Sequence, residues 1–196
     1  HKKGNANIME KLRIALGDLR HGTTGKHSIM MPVGIGYIAS YLFAEIGKEN
    51  VAIRLYDDPD ILMKDLDLFK PDVIGLANYC WNSYLSGVVF KHAKKRLPNI
   101  ICIAGGPEFP LQPEKCKQYL SMRKEIDFYV YREGEIAFSD IIGRIISEDE
   151  KDSLKNHPIG GIMYISPTGE LVIGSPLPRF EDSVIVNENE TLSSRV

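Results

Sequence analysis

The chain has 196 residues, of which 43% are hydrophobic and 26% are charged, and its formal net charge is -2. This length suits one substantial domain with a small extension. The acidic and basic residues balance without forming a basic stripe, no apolar run approaches the roughly 18 residues that span a bilayer, and no signal peptide is evident. We therefore expect neither a nucleic-acid partner nor a membrane span.

The three cysteines, Cys80, Cys102 and Cys116, are widely spaced and have no histidines at metal-ligand spacing. Their odd number and their spacing predict neither a disulfide framework nor a zinc site, and they favour a reducing cytoplasm. Cys102 lies within an apolar run and is predicted to be a core residue.

The first predicted strand covers residues 11–18, and a long loop rich in Gly, Thr and His follows to Met31. A helix is predicted from about Pro32, a residue that suits a first helical turn, to the glycine at 47. One face of this helix is apolar at the spacing of helical turns, through Ile35, Ile38, Ala39, Leu42, Phe43 and Ile46. The pattern predicts that this face packs against a sheet.

Four further strand–helix pairs follow the first one. Strands are predicted over residues 51–56, 72–77, 100–105 and 127–131, and helices over residues 59–69, 84–97, 113–120 and 135–146. Strands that alternate with helices at this spacing predict right-handed crossovers and a parallel sheet with helices on both faces. For five strands we expect the flavodoxin-like, Rossmann-like order 2-1-3-4-5.

In that order, the loops after the strands meet at the carboxyl edge of the sheet. These loops, residues 19–31, 78–83, 105–110 and 132–135, have the least ordinary composition of the chain. The fourth strand ends in the sequence IICIAGGPE, where Gly105 and Gly106 allow positive φ angles and close approach to the backbone. The same glycines are equally compatible with a tight turn that binds nothing.

The region after residue 149 changes character. A polar stretch leads to two short β-like runs, residues 161–166 and 171–174, on either side of a Pro-Thr-Gly turn. They predict a β-hairpin, either at an edge of the sheet or leading to a following domain. We therefore divide the chain into a disordered segment or cloning remnant, an α/β domain, a hairpin extension and a linker toward a further domain, over residues 1–10, 11–150, 151–180 and 181–196.

Two common ligand classes do not fit the loops. A dinucleotide fingerprint requires G-x-G-x-x-G between the first strand and the first helix, which is absent, and there is no P-loop motif. A phosphorelay receiver requires an Asp after the third strand and a Lys after the fifth, where this chain has Asn78 and Arg132.

Four segments carry a resemblance to a known family. They are the first-helix run MPVGIGYIASYL, the third-strand run PDVIGLANY, the fourth-strand run IICIAGGPEF and the fifth-strand run IDFYVYREGE. In this order, over roughly residues 12–164, they resemble the cobalamin-binding domain on the amino-terminal side of many radical-SAM enzymes.

The resemblance implies that the nucleotide tail of cobalamin enters between strands and helices beside Gly105 and Gly106. Ala77 and Asn78 stand where the family usually has a hydroxyl facing the tail, so that Asn78 would have to supply this hydrogen bond. Tyr79 and Trp81 would lie under the corrin ring, although a packing role for Trp81 is equally compatible. The resemblance implies the following cofactor-binding residues: Asp18, His21, Gly22, Thr23, Pro32, Ala77, Asn78, Tyr79, Trp81, Gly105, Gly106, Pro107, Glu108, Glu133, Gly134 and Glu135.

Besides Ala77, the chain departs from the family at two further positions. Members that ligate cobalt through histidine carry D-x-H-x-x-G after the first strand, whereas here His21 is one place late. We expect no protein histidine on cobalt, with His21 or His27 as the alternative ligands. Arg132 occupies the first glycine of the fifth-strand motif and is expected to narrow the site. Glu133 and Glu135 otherwise suit the start of a helix.

The C-x-x-x-C-x-x-C triplet that holds a radical-SAM iron–sulfur cluster is absent from the sequence. We therefore expect this chain alone not to be catalytic, and to carry cobalamin for a parent enzyme that performs methyl transfer or a ring rearrangement. The resemblance implies that this parent also uses a 4Fe–4S cluster and S-adenosylmethionine, in a radical-SAM domain that would partner this one. The alternatives are a cofactor-free docking or scaffolding domain, which Ala77 and Arg132 favour, and a small-molecule sensor.

Overall fold

The computed structural model describes residues 10–20, 32–147 and 151–178. Its strands are β1 (Leu12–Gly17), β2 (Val51–Tyr56), β3 (Val73–Ala77), β4 (Ile101–Gly105), β5 (Phe128–Val130), β6 (Ile162–Ile165) and β7 (Leu171–Ile173). Its helices are α1 (Val33–Ile46), α2 (Pro59–Leu68), α3 (Ser83–Arg96), α4 (Pro113–Met122) and α5 (Glu135–Ser147), followed by a short 3-10 helix, Lys151–Lys155.

The strands form one sheet in the order β2-β1-β3-β4-β5-β6-β7. The first five strands in this order are parallel, which confirms the predicted order 2-1-3-4-5. The hairpin of β6 and β7 runs antiparallel and adds two strands beside β5. The hairpin was expected either at an edge of the sheet or leading to a following domain. The structure places it at the edge of the parallel sheet.

Two apolar layers cover the sheet, one on each face. On one face α1 and α5 pack over Ile14 and its neighbours, and on the other α2, α3 and α4 pack over Ala15. Consecutive strand residues point to opposite faces, so both faces of the central strands are buried. In α1 the predicted stripe is confirmed, because Ile35, Ala39 and Leu42 are buried.

Ion pairs connect the amino ends of the parallel strands. Arg13 at the start of β1 pairs with Asp72 before β3, with 3.0 Å between Nη2 and Oδ1. Lys94 on α3 pairs with Asp127 before β5, with 2.5 Å between Nζ and Oδ2. The same Asp127 carboxylate accepts a bond from the Cys102 backbone N–H at 2.7 Å. Arg13, Asp72, Lys94 and Asp127 are therefore paired at this end of the sheet.

Each helix in the described ranges is too short or too polar to cross a bilayer.

Candidate functional site

A cavity of about 210 Å³ opens at the carboxyl ends of β1, β3, β4 and β5. Its walls are apolar side chains from the sheet and from the two helices of one face, including Leu16, Ile35, Ile38, Ile103, Val130 and Phe138. The strand order reverses between β1 and β3, and parallel sheets bind ligands in the crevice at such a reversal. The cavity therefore lies at the place where this fold accommodates ligands.

The loops around the cavity bring three carboxylates and one guanidinium to its lining, from Asp18, Arg132, Glu133 and Glu135. Asp18 directly follows β1. Burial raises the pKa of Asp18 above its ordinary value, while the charge of Arg20 and a hydrogen bond from Asn82 oppose this rise. The lining thus combines apolar walls with hydrogen-bond acceptors and one cation.

Asn82 fixes two of the residues that line the cavity. It is fully buried, and its Nδ2 donates to Asp18 Oδ1 at 3.1 Å and to the Leu19 carbonyl at 3.2 Å. Its Oδ1 accepts from the Tyr79 backbone N–H at 2.8 Å. The sequence reasoning missed this residue, because an asparagine just before a helix is typical of an N-cap, yet Asn82 makes no side-chain cap bond to α3.

Asn78 supports the loop after β4. Its Nδ2 lies 2.5 Å from the Glu108 carbonyl oxygen, 2.8 Å from Tyr129 Oη and 3.1 Å from Tyr119 Oη. Tyr129, which is fully buried, donates its hydroxyl proton to the Gly106 carbonyl at 2.9 Å. Asn78 is not among the residues that line the cavity. Its side chain instead stabilises the conformation of the loop that forms one side of the opening.

The backbone of Asn78 leaves no room for a side chain at Gly106. Its φ is +138°, and a Cβ added there would lie 2.5 Å from the Asn78 carbonyl oxygen and 3.0 Å from the Asn78 carbonyl carbon. A Cβ at Gly105 would lie 3.2 Å from Cβ of Val130. Both glycines line the cavity, yet the close approach that excludes a side chain comes from neighbouring residues of this chain.

Tyr79 and Trp81 form a stacked pair at the rim, with ring centroids 4.5 Å apart and planes inclined by 5°. Tyr79 lines the cavity, whereas Trp81 is not part of the lining and is 58% exposed. The pair presents a flat aromatic surface beside the opening.

Arg132 adopts a left-handed backbone conformation with a φ of 67°. This conformation disfavours residues with a Cβ by about 1–2 kcal/mol, which accounts for the glycine that the resembling family has at this position. The side chain of Arg132 is exposed and belongs to the cavity lining.

The structure gathers half of the predicted cofactor-binding residues around one cavity: Asp18, Ala77, Tyr79, Gly105, Gly106, Glu133, Gly134 and Glu135. Five others are described residues outside its lining, namely Pro32, Asn78, Trp81, Pro107 and Glu108. Pro32 instead borders a separate groove with Leu55 and Asp57. His21, Gly22, Thr23 and His27 lie outside the described residues. Gly34, Ile38 and Phe138 line the cavity without having been predicted.

Within residues 10–20, 32–147 and 151–178, no group of three or more His, Cys, Asp or Glu side chains is placed to bind a metal ion. The apolar walls and the polar rim are typical of a site for an organic group, and this part of the chain offers no ready-made metal centre.

A family model described as "B12 binding domain" matches residues 27–142, which is more than half of the chain. The chain belongs to the B12-binding domain family. The matched span includes α1 and the elements from β2 to β5, and it ends within α5. It thus contains most of the elements whose ends form the cavity.

Two relatives are longer proteins. The chain is 28% identical over 123 residues to the cobalamin-dependent radical SAM methyltransferase TokK of Streptomyces tokunonensis, covering 60% of this chain and 17% of that protein. It is 33% identical over 117 residues to the 2-(S-pantetheinyl)-carbapenam-3-carboxylate methyltransferase of Streptantibioticus cattleyicolor, covering 57% of this chain and 16% of that protein. The chain thus spans about a sixth of the length of these relatives.

The fold matches that of a solved structure, the cobalamin-dependent S-adenosylmethionine radical enzyme OxsB with aqua-cobalamin and S-adenosylmethionine bound. The TM-score is 0.63 at 18% identity, and the match covers 87% of this chain and 23% of that chain. At this identity the likeness concerns the fold alone.

Proposed function

We propose that this chain binds cobalamin at the carboxyl edge of its sheet, with the nucleotide tail in the cavity and the corrin ring over the rim. The observation that carries the proposal is an apolar cavity at the β1–β3 reversal in a member of the B12-binding family. The base of the tail is flat and largely apolar, so its burial against apolar walls would be favourable.

In this proposal, Leu16, Ile103, Val130 and Phe138 contact the base, while Asp18 and the backbone of Gly105 offer hydrogen-bond acceptors. Tyr79 supplies an aromatic surface near the ring. Asn78 and Asn82 act as positioning residues, because each fixes a loop of the opening. The cofactor, when bound, would supply a cobalt centre that carries a methyl group or an electron pair.

The proposal extends to a parent protein. We infer that the parent is a radical-SAM enzyme of the methyltransferase type, since TokK, which is longer, bears that description. A 4Fe–4S cluster and S-adenosylmethionine would then belong to a partner domain beyond the α/β domain, the hairpin and the linker at residues 181–196. Cys80, Cys102 and Cys116 form no disulfide with one another, which fits a reducing cytoplasm. His21 and His27 are expected not to ligate cobalt.

The proposal is tested by hydroxocobalamin titration of the purified chain, followed by desalting and an absorption spectrum. Gly34→Phe is the blocked variant, because Gly34 lines the cavity and a Cβ there would meet no atom within 4 Å. Gly36→Phe is its matched control. Gly36 lies in the same turn of α1, is equally open around its Cβ position and does not line the cavity. Gly106 is unsuitable for this purpose, because any side chain there meets the Asn78 backbone.

We expect wild type and Gly36→Phe to retain cobalamin and Gly34→Phe to lose it. Equal retention by both variants would place the cofactor elsewhere. No retention by any of the three would contradict cobalamin binding by this chain.

A docking domain without cofactor is the second candidate, and Arg132 is the observation that favours it. An arginine at a left-handed position beside the opening takes up room that a glycine leaves free. Failure of wild type to bind hydroxocobalamin, together with a stable fold, would support this candidate.

A further inference from the structure

Arg132 has no evident role in stabilising the fold. Among the described residues that line the cavity, it is the only basic one. None of the ion pairs between described side chains includes it, although Glu133 and Glu135 are close in sequence. Its backbone has the unfavourable φ of 67°. A side chain at a strained backbone position that forms no ion pair with another described side chain is suited to bind a ligand.

The charged side chains that line the cavity restrict which ligand groups can bind beside Arg132. Asp18, Glu133 and Glu135 contribute three carboxylates, which would repel an anion. Among the described residues that line the cavity, Arg132 is therefore the side chain that can pair with a negative charge. A guanidinium presents several N–H donors in a planar fork that matches the oxygens of a phosphate ester.

Cobalamin carries one anionic group outside its metal–ring unit, the phosphodiester of the nucleotide tail, and its other side arms are neutral amides. We propose that Arg132 binds this phosphodiester when the tail enters the cavity. The inference rests on the proposed function, and it assigns Arg132 a binding role in place of the obstruction expected from the sequence.

The experiment compares two corrinoids that differ only in the tail. Hydroxocobalamin has the phosphodiester and the base, whereas aquocobinamide lacks both. Dissociation constants for each are measured by absorbance titration on wild type, Arg132→Gln, Arg132→Lys and Arg144→Gln. Arg144 is the matched control, since it lies in the last turn of α5 and outside the cavity lining.

We expect Arg132→Gln to weaken hydroxocobalamin binding about five- to tenfold, as for an exposed charge-assisted bond, and to leave cobinamide binding unchanged. Arg132→Lys keeps the charge and loses the planar fork, so its affinity should lie between those of wild type and Arg132→Gln, and Arg144→Gln should behave as wild type. Added salt should weaken hydroxocobalamin binding less in Arg132→Gln than in wild type, because the screened pair is missing.

A further variant, Arg132→Gly, separates binding from folding. Glycine relieves the strained φ, so the midpoint of thermal unfolding should rise while hydroxocobalamin affinity falls. A loss of affinity through misfolding would move both quantities downward.

Three results would overturn the inference. Unchanged hydroxocobalamin affinity in Arg132→Gln would show that no phosphate pair forms, and tighter binding would show that the arginine obstructs the cavity. Equal weakening of both corrinoids would place Arg132 against the ring. In these cases wild type still binds, so the proposed function survives. If wild type binds neither corrinoid, both proposals fail.

Discussion

At the amino ends of the parallel strands, charged side chains pair with one another, whereas at the carboxyl ends the loops surround an apolar cavity and leave Arg132 without a partner among the described residues. The amino end includes Asp127, whose carboxylate binds both Lys94 and the backbone of β4. The carboxyl end instead has a glycine at positive φ and buried asparagines that join loops. The amino end is thus held by ion pairs, whereas the carboxyl end is held by buried amides and a close backbone contact beside an arginine at a strained position.

The largest expected effect tests how tightly the carboxyl end is packed. Gly106→Ala should lower the free energy of unfolding by about 3 kcal/mol or more, because the new Cβ meets the Asn78 backbone at an unfavourable φ. Urea denaturation measures this change. The matched variant Gly34→Ala, at an open helical position, should stabilise the chain by about 0.5–1 kcal/mol. A mild effect of Gly106→Ala would mean that the loop after β4 relaxes easily.

Gly106 also illustrates how far the sequence could predict this site. The glycine pair after an apolar strand was enough to predict a loop at the carboxyl edge, and alternating strands and helices were enough to predict the order 2-1-3-4-5. The sequence did not predict why a glycine is required at position 106. The requirement comes from the backbone of Asn78, which approaches this position only in the folded sheet. Local composition carries turn preferences, but it does not carry distances between strands.

The same limit applies to the asparagines. The sequence offered Asn78 as the residue that would have to supply a hydrogen bond to the cofactor tail, but it did not predict that this side chain supports the loop through Glu108 and Tyr129. Asn82 was not predicted at all, since its partners Asp18 and Leu19 lie more than 60 residues earlier in the chain. Side-chain bonds of this range depend on which strands become neighbours, so only the assembled sheet identifies them.

Asp127→Ala tests whether the paired charges at the amino ends of the strands stabilise the fold without affecting the cavity. This substitution removes the partner of Lys94 and leaves the Cys102 N–H without its acceptor, so the free energy of unfolding should fall by about 2–3 kcal/mol. Affinity for hydroxocobalamin, measured on folded protein, should not change. The control is Asp67→Ala, which breaks an exposed pair with Arg96 and should have no measurable effect. A change in affinity with Asp127→Ala would contradict the separation of the two ends.

Asn82→Ala tests the junction between β1 and β3. The fully buried amide satisfies Asp18, Leu19 and the Tyr79 N–H, so its loss should cost about 1–3 kcal/mol in unfolding free energy. Because Asp18 and Tyr79 line the cavity, we also expect weaker hydroxocobalamin binding. Asn50→Ala, which removes an exposed bond to the Ile46 carbonyl, is the control. Reduced stability with unchanged affinity would limit Asn82 to a role in folding.

The smallest expected effect concerns the proton on Asp18. Burial raises the pKa of this carboxyl in the folded chain, so the folded state binds the proton more tightly than the unfolded state. The stability contribution of Asp18 is therefore lost as the pH rises from the ordinary value of 3.8 through the raised folded pKa. Asp18→Asn keeps an oxygen to accept from Asn82 and carries no charge, so it should stabilise the chain at pH 7 by less than about 1 kcal/mol.

This gain should shrink as the pH falls toward 4, because the wild-type carboxyl then becomes neutral as well. Urea denaturation of both proteins at several pH values measures the difference. Destabilisation by Asp18→Asn at pH 7 would mean that the ionised carboxylate gains more from Asn82 and Arg20 than it loses through burial. The ionised carboxylate of Asp18 would then be stabilised by its partners, as the paired carboxylates at the amino end are. The contrast between the two ends would depend on Arg132 and Gly106 alone.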